Sequence, residues 1–141
     1  MRFEGYTVKD MSTSEPIPEG TYKYRLAKFE YGDPSDPEWK PKHPNSQAKG
    51  RHLMLDLVVQ DDGDQFGRHV FVPLSMEKGK DWLLRQLVEA CGKDEDWELD
   101  TDELVDCEVM GVTIKRPAQG QYSESNNVKK FVSVFGEASP T

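Results

Sequence analysis

Between Gly50 and Ser75 the chain reads GRHLMLDLVVQDDGDQFGRHVFVPLS, two alternating runs joined by a polar stretch. In the first run Leu53, Leu55, Leu57 and Val59 share one face, while His52, Met54, Asp56 and Gln60 share the other. In the second, Val70, Val72 and Leu74 alternate with His69, Phe71 and Pro73. Successive side chains of a strand point to opposite sides, so a period of two marks a strand with one buried face. The connection DDGDQFG, Asp61 to Gly67, is made of residues that tolerate turn geometry. The spacing predicts a β-hairpin with one face for a core and one face left for something else.

The rest of the chain supplies elements of the same kind. Residues 1–19 are polar and read as a loosely held lead ending in the turn Pro18-Glu19-Gly20. Thr21 to Tyr31 reads as a long strand: Tyr22, Tyr24 and Leu26 share a face, then the phase slips at Ala27-Lys28 and Phe29 and Tyr31 take the opposite parity. A phase slip inside a strand is the sequence form of a β-bulge, which lets a strand bend and serve two neighbours. Gly32 to Lys49 is a long proline-rich loop carrying Trp39, Lys40, Lys42, His43 and Lys49. Lys80 to Cys91 has Trp82, Leu83, Leu87, Val88 and Cys91 at helical spacing, with Gly92 as its stop. Lys93 to Asp106 is acidic, with a short helix or turn near Thr101 and with Trp97 and Leu99 over one end of the core. Cys107 to Arg116 reads as a strand whose core face is Met110, Val112 and Ile114. A polar loop with Tyr122 leads to a last strand, Val128 to Phe135. The expectation is one domain over residues 20–135 and a short tail over 136–141.

The net charge of −8 weighs against a phosphate-binding protein, since neutralising phosphates is the usual source of affinity. The total hides an uneven distribution. Residues 20–60 carry seven basic against five acidic residues, and 109–135 carry four against one. Residues 77–108 carry four basic against twelve acidic, which accounts for the whole excess. The pattern predicts an acidic pole and a basic groove on one molecule.

Several chemistries find no support in the sequence. His43, His52 and His69 have no metal-ligand spacing, and the acids of 93–106 do not follow the order of a calcium loop. No serine or cysteine nucleophile comes with a base in a recognisable motif, and there is no phosphate-cradling glycine loop. Asp61, Asp62 and Asp64 with Arg68 could hold a cation beside a phosphate, as in a nuclease, but turn chemistry explains them more simply. A protein that is not an enzyme and needs no metal or cofactor is therefore expected. Cys91 and Cys107 read as reduced, small buried hydrophobes, with a single disulfide left open. No run is apolar enough to span a membrane and the first residues hold no signal core, so a cytoplasmic protein is expected.

Three strands, a helix and two strands is the element order of the OB-fold, a mainly β, five-stranded and partly open Greek-key barrel with its helix between strands three and four. The segments PEGTYKYRLAKFEY, GRHLMLDLVV…GRHVFVPLS, WLLRQLVEACG and VMGVTIKR…NNVKKFVSVF carry a further likeness, spanning Pro18 to Phe135. With them the chain resembles the small OB-fold single-stranded-DNA-binding proteins encoded by bacteriophages, some of them placed near recombination and replication genes. The resemblance implies single-stranded DNA as partner, replication or recombination proteins beside it, and the cytoplasm of an infected bacterial host. Many such proteins end in a strongly acidic tail that recruits partners; here the last six residues are GEASPT, with Glu137 as their one acid, a departure that leaves recruitment of that kind open. Oligomeric state is left open, a homodimer included.

OB-folds commonly bind oligonucleotides across strands two and three, between the loops joining strands one to two and four to five. On this chain that surface takes His52, Met54, His69 and Phe71, rimmed by the Trp39 loop with Lys40 and Lys42 and by the Tyr122 loop. Arg51, Lys115, Arg116, Lys129 and Lys130 are the candidates for tracking a phosphate backbone. An aromatic among cations on a loop suits a base-stacking finger; the competing expectation for Trp39 is an anchor that packs down on the protein. The rival function is a protein-interaction module whose acidic surface binds a basic partner.

Overall fold

A computed structural model of the chain describes residues 1–8, 16–43, 49–117 and 125–135. Tyr122, residues 9–15 of the lead, the 44–48 part of the long loop and the 136–141 tail lie outside the described residues. The elements are β1 (Gly20–Gly32), α1 (Trp39–Lys42), β2 (His52–Val59), β3 (His69–Ser75), α2 (Trp82–Ala90), a single 3-10 turn (Thr101–Glu103), β4 (Glu108–Arg116) and β5 (Ser125–Ser133). The strands form one antiparallel sheet in the order β3-β2-β1-β4-β5. The fold is mainly β.

β1 is the shared strand. Its first half, Gly20 to Arg25, pairs with β4, and Tyr24 to Gly32 pairs with β2. The register against β2 slips between Leu26 and Lys28, at the phase change seen in the sequence. The bulge at Ala27 bends the strand between its two partners. Laid flat, five strands would hold the edge strands about 19 Å apart, at about 4.8 Å per neighbour. Here β3 and β5 are in contact, so the sheet is strongly curled. No ladder joins these two edges among the described residues, and the sheet is not closed.

The concave side holds the core. Leu53, Leu55, Leu57, Val59, Val70, Val72 and Leu74 are buried, while His69, Phe71 and Pro73 are exposed, as the alternation of the hairpin requires. α2 packs against β5 and β3 and covers the mouth of the curl with Leu84 and Leu87. Gly92, at φ 85°, ends the helix where an L-residue would be strained. The helix face is rotated from the one its spacing suggests. Leu84 is buried and Trp82 is 57% exposed, because the helix presents residues 84 and 87 to the two strands beneath it.

β4 reverses the expected face. Val109, Gly111 and Thr113 point inward, and Met110, Val112 and Ile114 lie half-buried on the convex side. The cause is Tyr24. Its ring is fully buried on the adjoining strand and lies directly over Gly111, where a Cβ would come within 2.9 Å of it. Its hydroxyl meets Thr113 Oγ1 at 2.5 Å. Thr113 donates to the Gly111 carbonyl at 3.3 Å, so Tyr24 is the donor in the first bond. Burial pushes the Tyr24 phenol up to about 12.

Ile17, which the sequence leaves in the lead, belongs to the core at 1% exposure. The Asn126 amide clamps it from β5: Ile17 N–H donates to Oδ1 at 2.8 Å, and Nδ2 donates to the Ile17 carbonyl at 3.0 Å. Cys91 and Cys107 are free and half-buried. Burial, and then contact with Cys107, raises the Cys91 thiol well above its ordinary value. No helix among the described residues is long and apolar enough to cross a membrane.

Candidate nucleic-acid interface

The convex side of β1, β2 and β3 is laid out in cross-strand rows. Lys28, Asp56 and Phe71 form one row, and Glu30, Met54 and Pro73 the next. Phe71 is 58% exposed at the centre of β3, an unusual exposure for a phenylalanine on a strand. The His69 ring lies nearly parallel to it, 18° between planes and 6.2 Å between centroids. Asp56 holds His69 in place through Nδ1, 2.7 Å from Oδ1. An ionised carboxylate only accepts, so that ring nitrogen carries the proton. The result is a pair of π faces on a rigid strand, oriented from the neighbouring strand.

His52 was expected on the same surface and is instead 6% exposed. Its parity is convex, but the strand end is roofed. Gly32 lies against its ring, where a Cβ would approach Cε1 to 2.5 Å. Trp39 meets it edge-on, 5.6 Å between centroids at 82°. Its Nδ1 donates to the Gly50 carbonyl at 3.0 Å. His52 is a pillar under the long loop, and its remaining exposed edge lines the cavity beside Arg51.

Trp39 belongs to the same cluster. It opens α1, is half-buried, and stacks on His43 at 4.7 Å and 19°. His43 in turn contacts the Trp39 carbonyl through Nδ1 at 3.1 Å and Glu30 through Nε2 at 3.5 Å. The geometry is that of the anchor and not of an extended finger. Lys40 and Lys42 follow it on the exposed side of α1.

The remaining cations divide into two groups. Arg51 is exposed at the start of β2, its backbone N–H held by Glu77 Oε1 at 2.8 Å. It lines a cavity of about 620 Å³ together with Pro73, which places it beside the Glu30, Met54 and Pro73 row, next to the row of Phe71. Lys115, Arg116, Lys129 and Lys130 are exposed on β4 and β5. Val112 pairs with Lys130 and Thr113 with Val128, so Lys129 is the extra residue of a bulge and both lysines reach solvent. The structure thus brings Phe71, His69 and Arg51 to one side of the sheet and carries the four β4–β5 cations on the other arm.

Two lysines escaped the sequence reading. Lys78 and Lys80 line the cavity of Arg51, although by segment they fall in the acidic block. A signal was present: the stretch Glu77-Lys78-Gly79-Lys80 follows β3 directly, and Gly79 at φ 84° turns it. Lys80 N–H closes that turn on the Glu77 carbonyl at 2.9 Å.

A second surface lies behind α2. A groove of about 760 Å³ runs between the helix and residues 93–99, with Leu84, Val88 and Trp97 in its floor and Asp81, Asp94 and Glu95 around it. Lys93 covers the Trp97 ring at 5.2 Å, and Trp97 Nε1 donates to Glu103 at 3.0 Å. Among the described residues no group of three or more His, Cys, Asp or Glu could hold a metal ion. Comparison with protein-family models and with curated proteins returns no match.

Proposed function

We propose that this chain is a non-catalytic, sequence-tolerant single-stranded-DNA-binding protein with an OB-fold, of the kind bacteriophages encode for replication and recombination. One observation carries the reading: Phe71 and His69 stand as a stacked, exposed pair on the convex face of β3 with Arg51 at the end of the same face. Every base has a π face, so stacking on such a pair does not depend on sequence, while cations hold the backbone. The strand order β3-β2-β1-β4-β5, the contact of β3 with β5 and the helix between β3 and β4 support the OB assignment. In that fold strands two and three are the usual binding surface, which is where Phe71 stands.

The test is fluorescence anisotropy with a labelled dT oligonucleotide and the Phe71→Ala variant. Base stacking contributes about 1–3 kcal/mol per base, so the variant is expected to bind about 5- to 150-fold more weakly. Its stability should stay within about 0.5 kcal/mol of wild type, because an exposed side chain on the convex face is lost. Equal binding by both proteins would remove Phe71 from the site.

The groove behind α2 favours a second reading, a module that captures a basic partner on its acidic surface. It predicts that Asp94→Lys/Glu95→Lys abolishes binding of a synthetic basic amphipathic peptide while Phe71→Ala leaves that binding intact. Peptide binding unaffected by the reversal would remove it.

A further inference from the structure

We infer that the cavity beside Arg51 is a seat for a backbone phosphodiester of the bound strand, which makes Lys49, Lys78 and Lys80 part of the nucleic-acid interface. The inference rests on the DNA-binding reading and extends the site beyond the aromatic pair. The cavity, about 620 Å³, is lined by the four cations Lys49, Arg51, Lys78 and Lys80 against the one carboxylate of Glu77. That carboxylate is already engaged. Its Oε1 accepts the Arg51 N–H at 2.8 Å, and its tip packs against Gly50, where a Cβ would meet Oε1 at 2.7 Å and Cγ at 2.6 Å. Glu77 therefore ties the start of β2 to the turn after β3 and sets the spacing of the two basic segments.

Among the described residues, no ion pair within 4.0 Å involves Lys49, Arg51, Lys78 or Lys80. Arg51 acts on Asp33 only as a minor influence, behind the hydrogen bonds from Ser35 that hold the Asp33 carboxyl low. Four like charges around one hollow repel each other and raise the local potential, and an anion entering the hollow relieves both. In a chain with a net charge of −8, such a cluster is the opposite of what composition supplies.

Position argues for a polymer phosphate. Phe71 and Pro73 lie on the same side of β3 two residues apart, a separation of about 6.7 Å along a strand. Pro73 also lines the cavity. A strand with a base on Phe71 thus meets the basic hollow within a residue or two of sugar–phosphate backbone. The turn at Gly79 carries Lys78 and Lys80 to the cavity that Pro73 of β3 also lines.

The experiment is a salt titration of dT-oligonucleotide binding, without terminal phosphates, for wild type, Lys78→Gln/Lys80→Gln and Phe71→Ala. For single strands log K falls with log salt by about 0.7 per phosphate neutralised. Losing two contacts should reduce the slope by about 1.4 and weaken binding about 25-fold at about 0.1 M salt, the difference vanishing towards about 1 M. Phe71→Ala should weaken binding at every salt concentration with the wild-type slope. If wild type and Phe71→Ala behave so while the double lysine variant keeps wild-type affinity and slope, the phosphate seat is overturned and the DNA reading stands. If wild type does not bind, the DNA reading fails and the seat with it. A matched gain in affinity for 5′-phosphorylated over unphosphorylated oligonucleotide, lost in the lysine variant, with no slope change on the unphosphorylated one, would assign the hollow to a terminal phosphate and overturn the backbone seat.

Discussion

Gly111→Ala discriminates between the two faces that β4 could turn to the core. The backbone at Gly111 is not in the left-handed region, so alanine is conformationally acceptable there. On a convex face the change would stabilise by about 0.4–1 kcal/mol, through a less flexible unfolded chain. In the structure the new methyl carbon would sit 2.9 Å from Tyr24 Cε2, 3.0 Å from Cδ2 and 3.2 Å from Val128 Cγ1. Carbon atoms prefer about 3.5–4.0 Å, so the overlap is at least about 0.6 Å on the Tyr24 side and at least about 0.3 Å on the Val128 side. The ring has little room to yield, because it is fully buried and its hydroxyl is tied to Thr113. Overpacking of this kind costs about 1–3 kcal/mol; with neighbours on two sides the upper half of that range, about 2–3 kcal/mol, applies, which leaves a net loss of about 1–2.6 kcal/mol after the backbone gain. Urea unfolding measures it as a lower midpoint at unchanged slope. Tyr24→Leu in the same background should recover part of the loss relative to the sum of the single changes, as coupled neighbours do. An alanine variant as stable as wild type, or more stable, would put Gly111 on the convex face and refute the placement of Tyr24.

Other expectations follow from the same geometry. The Tyr24 phenol, near 12 in the fold against about 10 when unfolded, keeps its proton longer in the native state. That stability is complete below pH 10 and is lost as pH rises from about 10 to about 12, by up to about 3 kcal/mol at about 1.4 kcal/mol per unit, and Tyr24→Phe should flatten this part of a stability–pH curve. Asn126→Ala removes both bonds that hold Ile17 and one to the Ile114 carbonyl and should cost about 2 kcal/mol in urea unfolding, and Asn126→Asp, which keeps the acceptor but turns a carboxylate oxygen on the Ile17 and Ile114 carbonyls, should cost at least as much. Trp39→Ala should lower stability by about 1–3 kcal/mol, since it loses two ring contacts, and should weaken DNA binding less than Phe71→Ala does.

The hairpin faces and the β1 bulge were legible because local periodicity alone decides them. Seven apolar residues of β2 and β3 share one parity, and the phase slip at Ala27 needs no knowledge of a partner strand. β4 was illegible for the opposite reason. Met110, Val112 and Ile114 are more apolar than Val109, Gly111 and Thr113, yet the inner face takes the smaller set because the Tyr24 ring already fills the space. Which strand lies beside β4 is a long-range fact that periodicity does not contain. The parity of His52 was legible but its burial was not, since its roof comes from Gly32 and Trp39 on other segments. For α2, apolar residues at 82, 83, 84, 87 and 88 cover more than one face, and packing on β5 and β3 selects among them. In the site, Phe71 and His69 were visible from strand parity. Lys78 and Lys80 were hidden by counting charge along the chain, when a turn at Gly79 decides which pole they join.

The most direct measurement is binding of wild-type protein to labelled single-stranded oligonucleotides of dT, dC and mixed sequence, followed from low to moderate salt. A sequence-tolerant single-strand binder gives saturable binding at micromolar protein in low salt, similar for the three sequences, with affinity falling steadily as salt rises. No binding to any of them at micromolar protein in low salt would contradict it.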